Sequence, residues 1–210
     1  MNVLIIGSGG HGQVVADILL SMNASGNIVT PIGFLDDDPH LAKKSVMGLP
    51  IIGTIEQIDL VTYDTVIMGI GSNHVRQRLF KWLQDKNVTF ATAIHPKAII
   101  AQNVQIEIGT SVAAGVIINT GASIGANVIL NTGCTVDHHC IIEDHVHLAP
   151  GTHLGGDITV GTGTLVGIGA TIMPQKNIGS WSTIAAGSLV HRDVPSNVTV
   201  MGLPAVESNN

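Results

Sequence analysis

The sequence predicts a Rossmann-like α/β half-domain followed by a parallel β-helix, and two observations carry this. From position 94 to position 190 every sixth residue is Ile, Leu or Val, without exception. That period matches neither a helix nor an alternating strand, and it marks a hexapeptide-repeat solenoid. The preceding residues instead read as strand, glycine turn and helix, with further apolar strands that end in acidic or glycine-rich segments. The change of composition near position 90 divides the chain of 210 residues into two domains, 1–90 and 91–205.

The first domain opens with a short buried strand at 3–6. It runs into Gly7-Ser8-Gly9-Gly10-His11-Gly12 and an apolar-periodic helix at about 13–22. Glycines at such a turn let the backbone approach a phosphate, and the helix N-terminus supplies free N–H groups. Gly7, Ser8, Gly10, His11 and Gly12 are therefore candidate substrate residues. A second strand, at about 28–35, ends at Asp36-Asp37-Asp38, where Asp36 or Asp37 can hold a ribose or a base edge. A third strand, at 65–70, ends at Gly71-Ser72-Asn73, and Ser72 or Asn73 can cap the helix that carries Arg76, Arg78 and Lys81. A dinucleotide site needs two mononucleotide halves, and ninety residues hold one, so a nucleotide-sugar fits better than NAD.

In the second domain three hexads make one triangular coil, and each inward aliphatic stacks on the residue eighteen positions away. The series runs from Ile94 through Val112, Leu130, Leu148, Val166 and Ile184 to Val190. Small residues such as Ala122, Cys134, Cys140, Thr152, Thr164, Ala170, Ser182 and Ser188 fill a second inward slot. Glycines after the aliphatic, at 125, 155, 161, 167 and 179, suggest corners of positive φ. Cys134 and Cys140 are six apart, on different faces, which suits two buried thiols rather than a disulfide.

Composition excludes several classes. Aromatics are 3% of the chain, too few for a base-stacking platform, and a net charge of −6 argues against nucleic acid. No stretch is apolar and long enough for a membrane span, and the start lacks a basic leader. A cytoplasmic location is expected.

Several stretches together resemble a known family: GSGGHG near the start, FLDDD at 34–38, GIGSN at 69–73, VILNTGCTVDHHCIIEDHVHLAPGTHLGG at 128–156 and VMGLPA at 200–205. The chain resembles the sialic acid O-acetyltransferase group, and within it the bacterial nucleotide-aminosugar N-acetyltransferases that make bacillosamine-type sugars. The resemblance implies a left-handed β-helix and a homotrimer with acetyl-CoA between neighbouring helices. It also implies an N-terminal domain for the nucleotide of a UDP-sugar. His138, in Asp137-His138, is implied as the general base and His147 as a contact of the acetyl-CoA region. One position departs from the family: the residue after the base is ordinarily acidic, and here it is His139, so the group that orients the base is missing, or Asp137 or a backbone carbonyl replaces it.

The residues agree with that chemistry. Five histidines fall within 138–153: His138, His139, His145, His147 and His153. Acetyl transfer to an amine needs a base near neutral pH, alignment and an oxyanion donor, with no Ser or Cys nucleophile. His138 sits at a coil corner, whereas His147 and His153 precede inward leucines and point outward. His145 and His153 can equally be solvated surface. His138 and His147 are half a coil apart, so a shared site takes one from each of two chains. Gly156, Ile168 and Gly187 leave backbone amides open to a pantetheine arm. Lys176 and Arg192 suit the CoA phosphates, and Met173-Pro174 the adenine. Asn119 is a further candidate substrate residue. No metal is expected: a γ-class carbonic anhydrase needs a His-x4-His pair, and no two histidines here are five apart. Sugar O-acetylation and a non-catalytic scaffold remain alternatives.

Overall fold

The computed structural model describes residues 1–207 and divides into two compact units, Met1–Pro96 and Lys97–Asn210. The first unit contains β1 (Asn2–Ile6), α1 (Gly10–Ala24), β2 (Thr30–Leu35), β3 (Ser45–Val46), β4 (Leu49–Gly53), β5 (Thr65–Met68) and α2 (Asn73–Asp85). The sheet order is β3-β4-β2-β1-β5, parallel except where β3 meets β4. Strand β1 is buried at Val3, Leu4, Ile5 and Ile6, as a central parallel strand covered on both faces must be. The chain leaves β1 toward β2 on one side and later returns to β5 on the other. The carboxyl end of β1 is therefore a topological switch point, where open α/β sheets bind ligands. Helix α1 starts three residues earlier than its apolar periodicity suggests, because Gly10, His11 and Gly12 already adopt helical geometry.

The second unit is a left-handed parallel β-helix. Two-residue strands stack into three faces, and each pairs with the strand eighteen positions on: Ile118 with Val136, Ile124 with Ile142, Leu130 with Leu148. The inward aliphatics from Val112 to Val190 are buried, as are all eight small residues of the second slot. Ile100 and Ile106, in the first coil, are only half-buried because they have stacked neighbours on one side alone. After Val190 the phase slips by two residues: Ile184 pairs with Val200, and Ile178 bridges Val194. Thr199–Gly202 then turns back antiparallel onto Ala205–Glu207. Both cysteines are free and buried, and burial pushes the Cys134 thiol up to about 12. No helix among the described residues is long and apolar enough to cross a membrane.

The glycines fall into two classes, and the sequence reading merges them. Positive φ occurs three residues after the aliphatic, at glycines such as Gly133 and Gly169, but also at Asn127, His139, His145, Asp157 and Trp181. The glycines directly after the aliphatic have ordinary φ, and crowding explains them. A Cβ at Gly161 would lie 2.6 Å from the backbone N of Ser180, one coil on, and one at Gly125 would lie 2.8 Å from that of Asp144. Gly161→Ala should therefore cost about 1–3 kcal/mol, the scale of an overpacked core. Gly133→Asn, at a corner with nothing within 4 Å, should cost less than about 1 kcal/mol, because Asn tolerates that backbone. Thermal melts compare the two; equal losses would show that backbone angle, not crowding, governs the first class.

Candidate functional site

The first unit builds a concave site at its switch point. Ile6 faces Leu35 on one side and Met68 on the other, so Gly7, Asp36 and Gly69 leave the sheet at one level. A cavity of about 450 Å³ opens there, lined by Gly7, Gly10, His11, Asp36, Gly71 and Arg78 among others. The glycines again divide by role. A Cβ at Gly12 would run into the carbonyl of Gly7, and one at Gly69 would crowd both Gly7 and Gly12. These three let the first turn of α1 pack on the strand ends. Gly9 and Gly10 are exposed with open space around them, so they leave the amino end of α1 accessible. No acidic side chain occupies that first turn.

Asp36 holds the turn together. Its Oδ2 accepts from Ser8 N at 2.7 Å and Ser8 Oγ at 2.6 Å, and its Oδ1 accepts from Asp38 N at 2.9 Å. Burial works to raise its carboxyl, but the bonds from Ser8 and Asp38 outweigh it, and the group titrates below its ordinary 3.8. Asp37 is exposed, and its Oδ1 accepts from Ile55 N at 2.8 Å. It lines both the first cavity and a neighbouring one of about 280 Å³ bounded by Pro39, Lys43, Ile52 and Gln57. Ser72 occupies the cap position of α2, yet its hydroxyl makes no cap bond.

The sequence reading groups Arg76 with the helix cations, but the structure separates them. Arg76 is 1% exposed. Its Nη1 donates to Ile70 O at 3.3 Å, Gly71 O at 3.2 Å and Asn73 Oδ1 at 2.9 Å. Burial lowers its guanidinium to about 9, which leaves it charged near pH 7. Arg76 thus clamps the Gly71-Ser72-Asn73 loop from inside, while exposed Arg78 faces the cavity.

In the second unit the candidate residues gather at a coil corner. His138 and His139 form a turn after Thr135–Val136 and are exposed. Asp137 Oδ1 accepts from His138 N at 2.7 Å and from Asn119 Nδ2, one coil below, at 2.8 Å. The Asn119 bond, then the His138 one, hold the Asp137 carboxyl below its ordinary value. Asp137 and Asn119 therefore brace the corner's backbone, and neither touches the imidazole through these bonds. The ring's partners are His139, Nδ1 to Nδ1 at 3.1 Å, and Asp157, whose Oδ2 lies 4.0 Å from His138 Nδ1. No hydrogen bond within the described residues engages His138 Nε2. A side chain at Gly156 would run into the His138 ring, and a Cβ at Gly121 would lie 2.6 Å from the His139 ring. Asp157 is absent from the sequence-based candidates, yet it stacks eighteen residues above His139; the repeat length was the available signal. These three residues are the one group of its kind among the described residues with donor atoms within 4.8 Å, a span that a divalent ion could share.

The other histidines separate by environment. His145 is not solvated surface: it is 5% exposed at a positive-φ corner, with Nδ1 2.9 Å from Asn127 Nδ2. His153 is exposed, its Nδ1 3.0 Å from Thr135 Oγ1. His147 is half-buried on a different face, with Nε2 3.3 Å from Asn131 Nδ2. The candidate cofactor residues lie along two corners. Gly156 accepts from Gln175 N at 2.9 Å, which brings half-buried Lys176 above the His138 corner. Gly187 N donates to Ile168 O at 2.8 Å along another corner. Arg192 lies farther along the solenoid beside a cavity of about 300 Å³.

Comparisons with known proteins follow the same division. Residues 2–83 match the family described as the PglD N-terminal domain. The whole chain is similar to the acetyltransferase domain of PglB from Neisseria gonorrhoeae, solved with acetyl coenzyme A: 32% identity, TM-score 0.91, covering 99% of this chain and 98% of that one. It is also similar to PerB from Caulobacter crescentus, solved with CoA and GDP-perosamine: 34% identity, TM-score 0.91, covering 100% and 98%. Among curated proteins, a serine acetyltransferase of Buchnera aphidicola is 37% identical over 143 residues, 63% of this chain. The chain spans 44% of that relative's length.

The Asp36–Ser8 lock has a pH signature. Asp36→Asn should lower stability at neutral pH by about 1–2 kcal/mol, the worth of hydrogen bonds to a charged acceptor discounted for partial exposure. The folded-state value lies below the unfolded one, so the contribution is complete above about pH 5 and is lost as pH falls through the folded value. The gap in urea midpoint between parent and variant should therefore close on acidification. A gap of constant size would show that the ionised carboxylate is not what Ser8 binds.

Proposed function

This chain belongs to the family of hexapeptide-repeat nucleotide-aminosugar acetyltransferases, and we propose that it moves the acetyl group of acetyl-CoA to the 4-amino group of a UDP-linked amino-deoxy sugar. The observation that carries this reading is the His138 corner. An exposed imidazole there has Nδ1 engaged by its own chain and Nε2 clear of it. A base so arranged can take a proton from an incoming amine. The freed amine attacks the thioester carbonyl, a C–N bond forms and the C–S bond breaks. The ammonium's proton leaves His138 for solvent, and the second proton, which the nitrogen sheds as the amide forms, passes through His138 to the leaving sulfur, giving the CoA thiol. Backbone N–H groups at the glycine corners can stabilise the oxyanion, and direct attack in a ternary complex needs no acyl-enzyme.

In this reading the first unit holds the nucleotide. The diphosphate meets the open amino end of α1 at Gly9 and Gly10, with Arg78 beside it, and Asp37 faces the ribose or base. The acetyl-CoA residues lie along two corners of the triangular prism. Gly156 and Lys176 share the corner of His138, and Ile168 and Gly187 stand on another. A second copy that brings its Ile168–Gly187 corner and His147 alongside His138 would join them in one groove. We therefore read the active form as a homotrimer. The UDP assignment rests on the likeness to bacillosamine-type enzymes; GDP is the competitor, since PerB was solved with GDP-perosamine.

Release of CoA thiol from acetyl-CoA should require an amino-sugar nucleotide and be fastest with the UDP-linked one. His138→Ala should lower kcat by roughly 10²–10⁴-fold while acetyl-CoA still binds. Full turnover by that variant at saturating substrates near pH 7 would remove the base from the mechanism.

Sedimentation equilibrium should give three times the 21.8 kDa chain mass at micromolar concentration. A monomer that is active at that concentration would rule out a shared site.

A further inference from the structure

We infer that Asp157 is the positioning residue of the general base and that it acts through the His138–His139 pair. It would supply from the next coil the carboxylate that His139 displaces. The inference rests on His138 being the base.

A histidine that takes a proton at Nε2 must carry its own ring proton on Nδ1. That N–H needs an acceptor, or the ring spends time in the wrong tautomer and orientation. Asp137 does not meet the need, because its Oδ1 is held by the His138 backbone N–H and by Asn119. His139 does: its Nδ1 lies 3.1 Å from His138 Nδ1. It can accept there only when neutral, with its own proton on Nε2. An imidazole acceptor carries no charge, however, so it cannot by itself stabilise the imidazolium that forms on His138.

Asp157 adds that charge. Its Oδ2 lies 4.0 Å from His138 Nδ1. Its place is set by the fold, since Asp157 N donates to His138 O at 3.0 Å across the coils. His139 and Asp157 occupy the same positive-φ corner, one coil apart, with φ of 56° and 59°. Both are exposed. A salt bridge at such a surface contributes little stability, so the contact is poorly explained as a structural one. The groups acting on the His138 ring are then one neutral acceptor, His139, and two carboxylates: Asp157 beside Nδ1, and Asp137, which acts by charge alone while its Oδ1 is held by backbone and Asn119. Gly156 above the ring leaves it room to lean toward His139 and Asp157.

The test is Asp157→Asn, a change of charge at nearly constant shape, in the intact protein with UDP- or GDP-linked amino sugar, whichever the parent uses. We expect kcat to fall about 10–100-fold, with the KM of both substrates and the melting temperature near parental values. Asp157→Asn combined with His139→Asp should recover most of the loss, because a carboxylate again adjoins the ring. Long-range ¹⁵N NMR of the histidine rings gives a readout independent of turnover. His138 should be mainly the Nδ1–H tautomer in the parent and mixed in Asp157→Asn. Parental kcat and tautomer in Asp157→Asn would overturn the inference, as would a loss that His139→Asp does not repair. Activity abolished by EDTA and restored by zinc would also overturn it, since the three groups would then serve a metal. His138→Ala separates the two readings: if that variant turns over normally the functional reading fails, whereas an inactive His138→Ala beside a parental Asp157→Asn removes only Asp157.

Discussion

The eighteen-residue parallel register of the solenoid is the constraint on which the site depends. Each coil's backbone N–H groups find their acceptors one coil away, and the inward aliphatic of each strand meets its counterpart there. A slip of one residue would turn every buried side chain outward. The register therefore admits one set of stacked neighbours, and the chemistry inherits it. Asn119 lies under Asp137, Gly121 under His139, Gly156 above His138 and Asp157 above His139, each eighteen residues away. The ladder that buries the core also brings His138, His139 and Asp157 together.

That core lets an exposed corner keep a fixed geometry. His138, His139 and Asp157 sit in solvent, where their mutual contacts stabilise the fold little. Their placement is instead held by backbone bonds between coils and by a buried column on which they stand. A functional group is positioned best when rigid elements support it. The glycines flanking the rings belong to the same design, since any side chain at Gly121 or Gly156 would displace an imidazole.

The N-terminal unit solves a different problem with similar economy. Its cavity lies where β1 ends between β2 and β5, and two buried or half-buried charges shape the loops around it. Asp36 ties the Gly7–Ser8 turn to the end of β2, and Arg76 ties the loop after β5 to its own helix. Neither needs to touch a ligand in order to matter. The aspartate next to Asp36 and the arginine two positions after Arg76 are the ones that face the open cavity. In each pair one charge shapes the loop and the other lines the cavity.

Periodicity made the solenoid legible. An aliphatic every sixth residue can bury a column only in a triangular coil, so the core list from Val112 to Val190 follows from spacing alone. Strand, glycine turn and helix likewise located the first unit's cavity, and the resemblance located the histidine pair. Other features depended on tertiary structure. The role of each glycine turned on what lies one coil away, which a local reading for positive φ misses. The burial of His145 turned on the coil below, where Asn127 meets its ring. The approach of Asp157 to His138 turned on the stacking of residue 157 one coil above residue 139, which adjacency in sequence does not reveal. Local pattern determines which residues face inward, because that is a property of a strand and its period. Which charges meet is determined only when the coils close on one another, because a hydrogen bond depends on distance in space and not on separation along the chain.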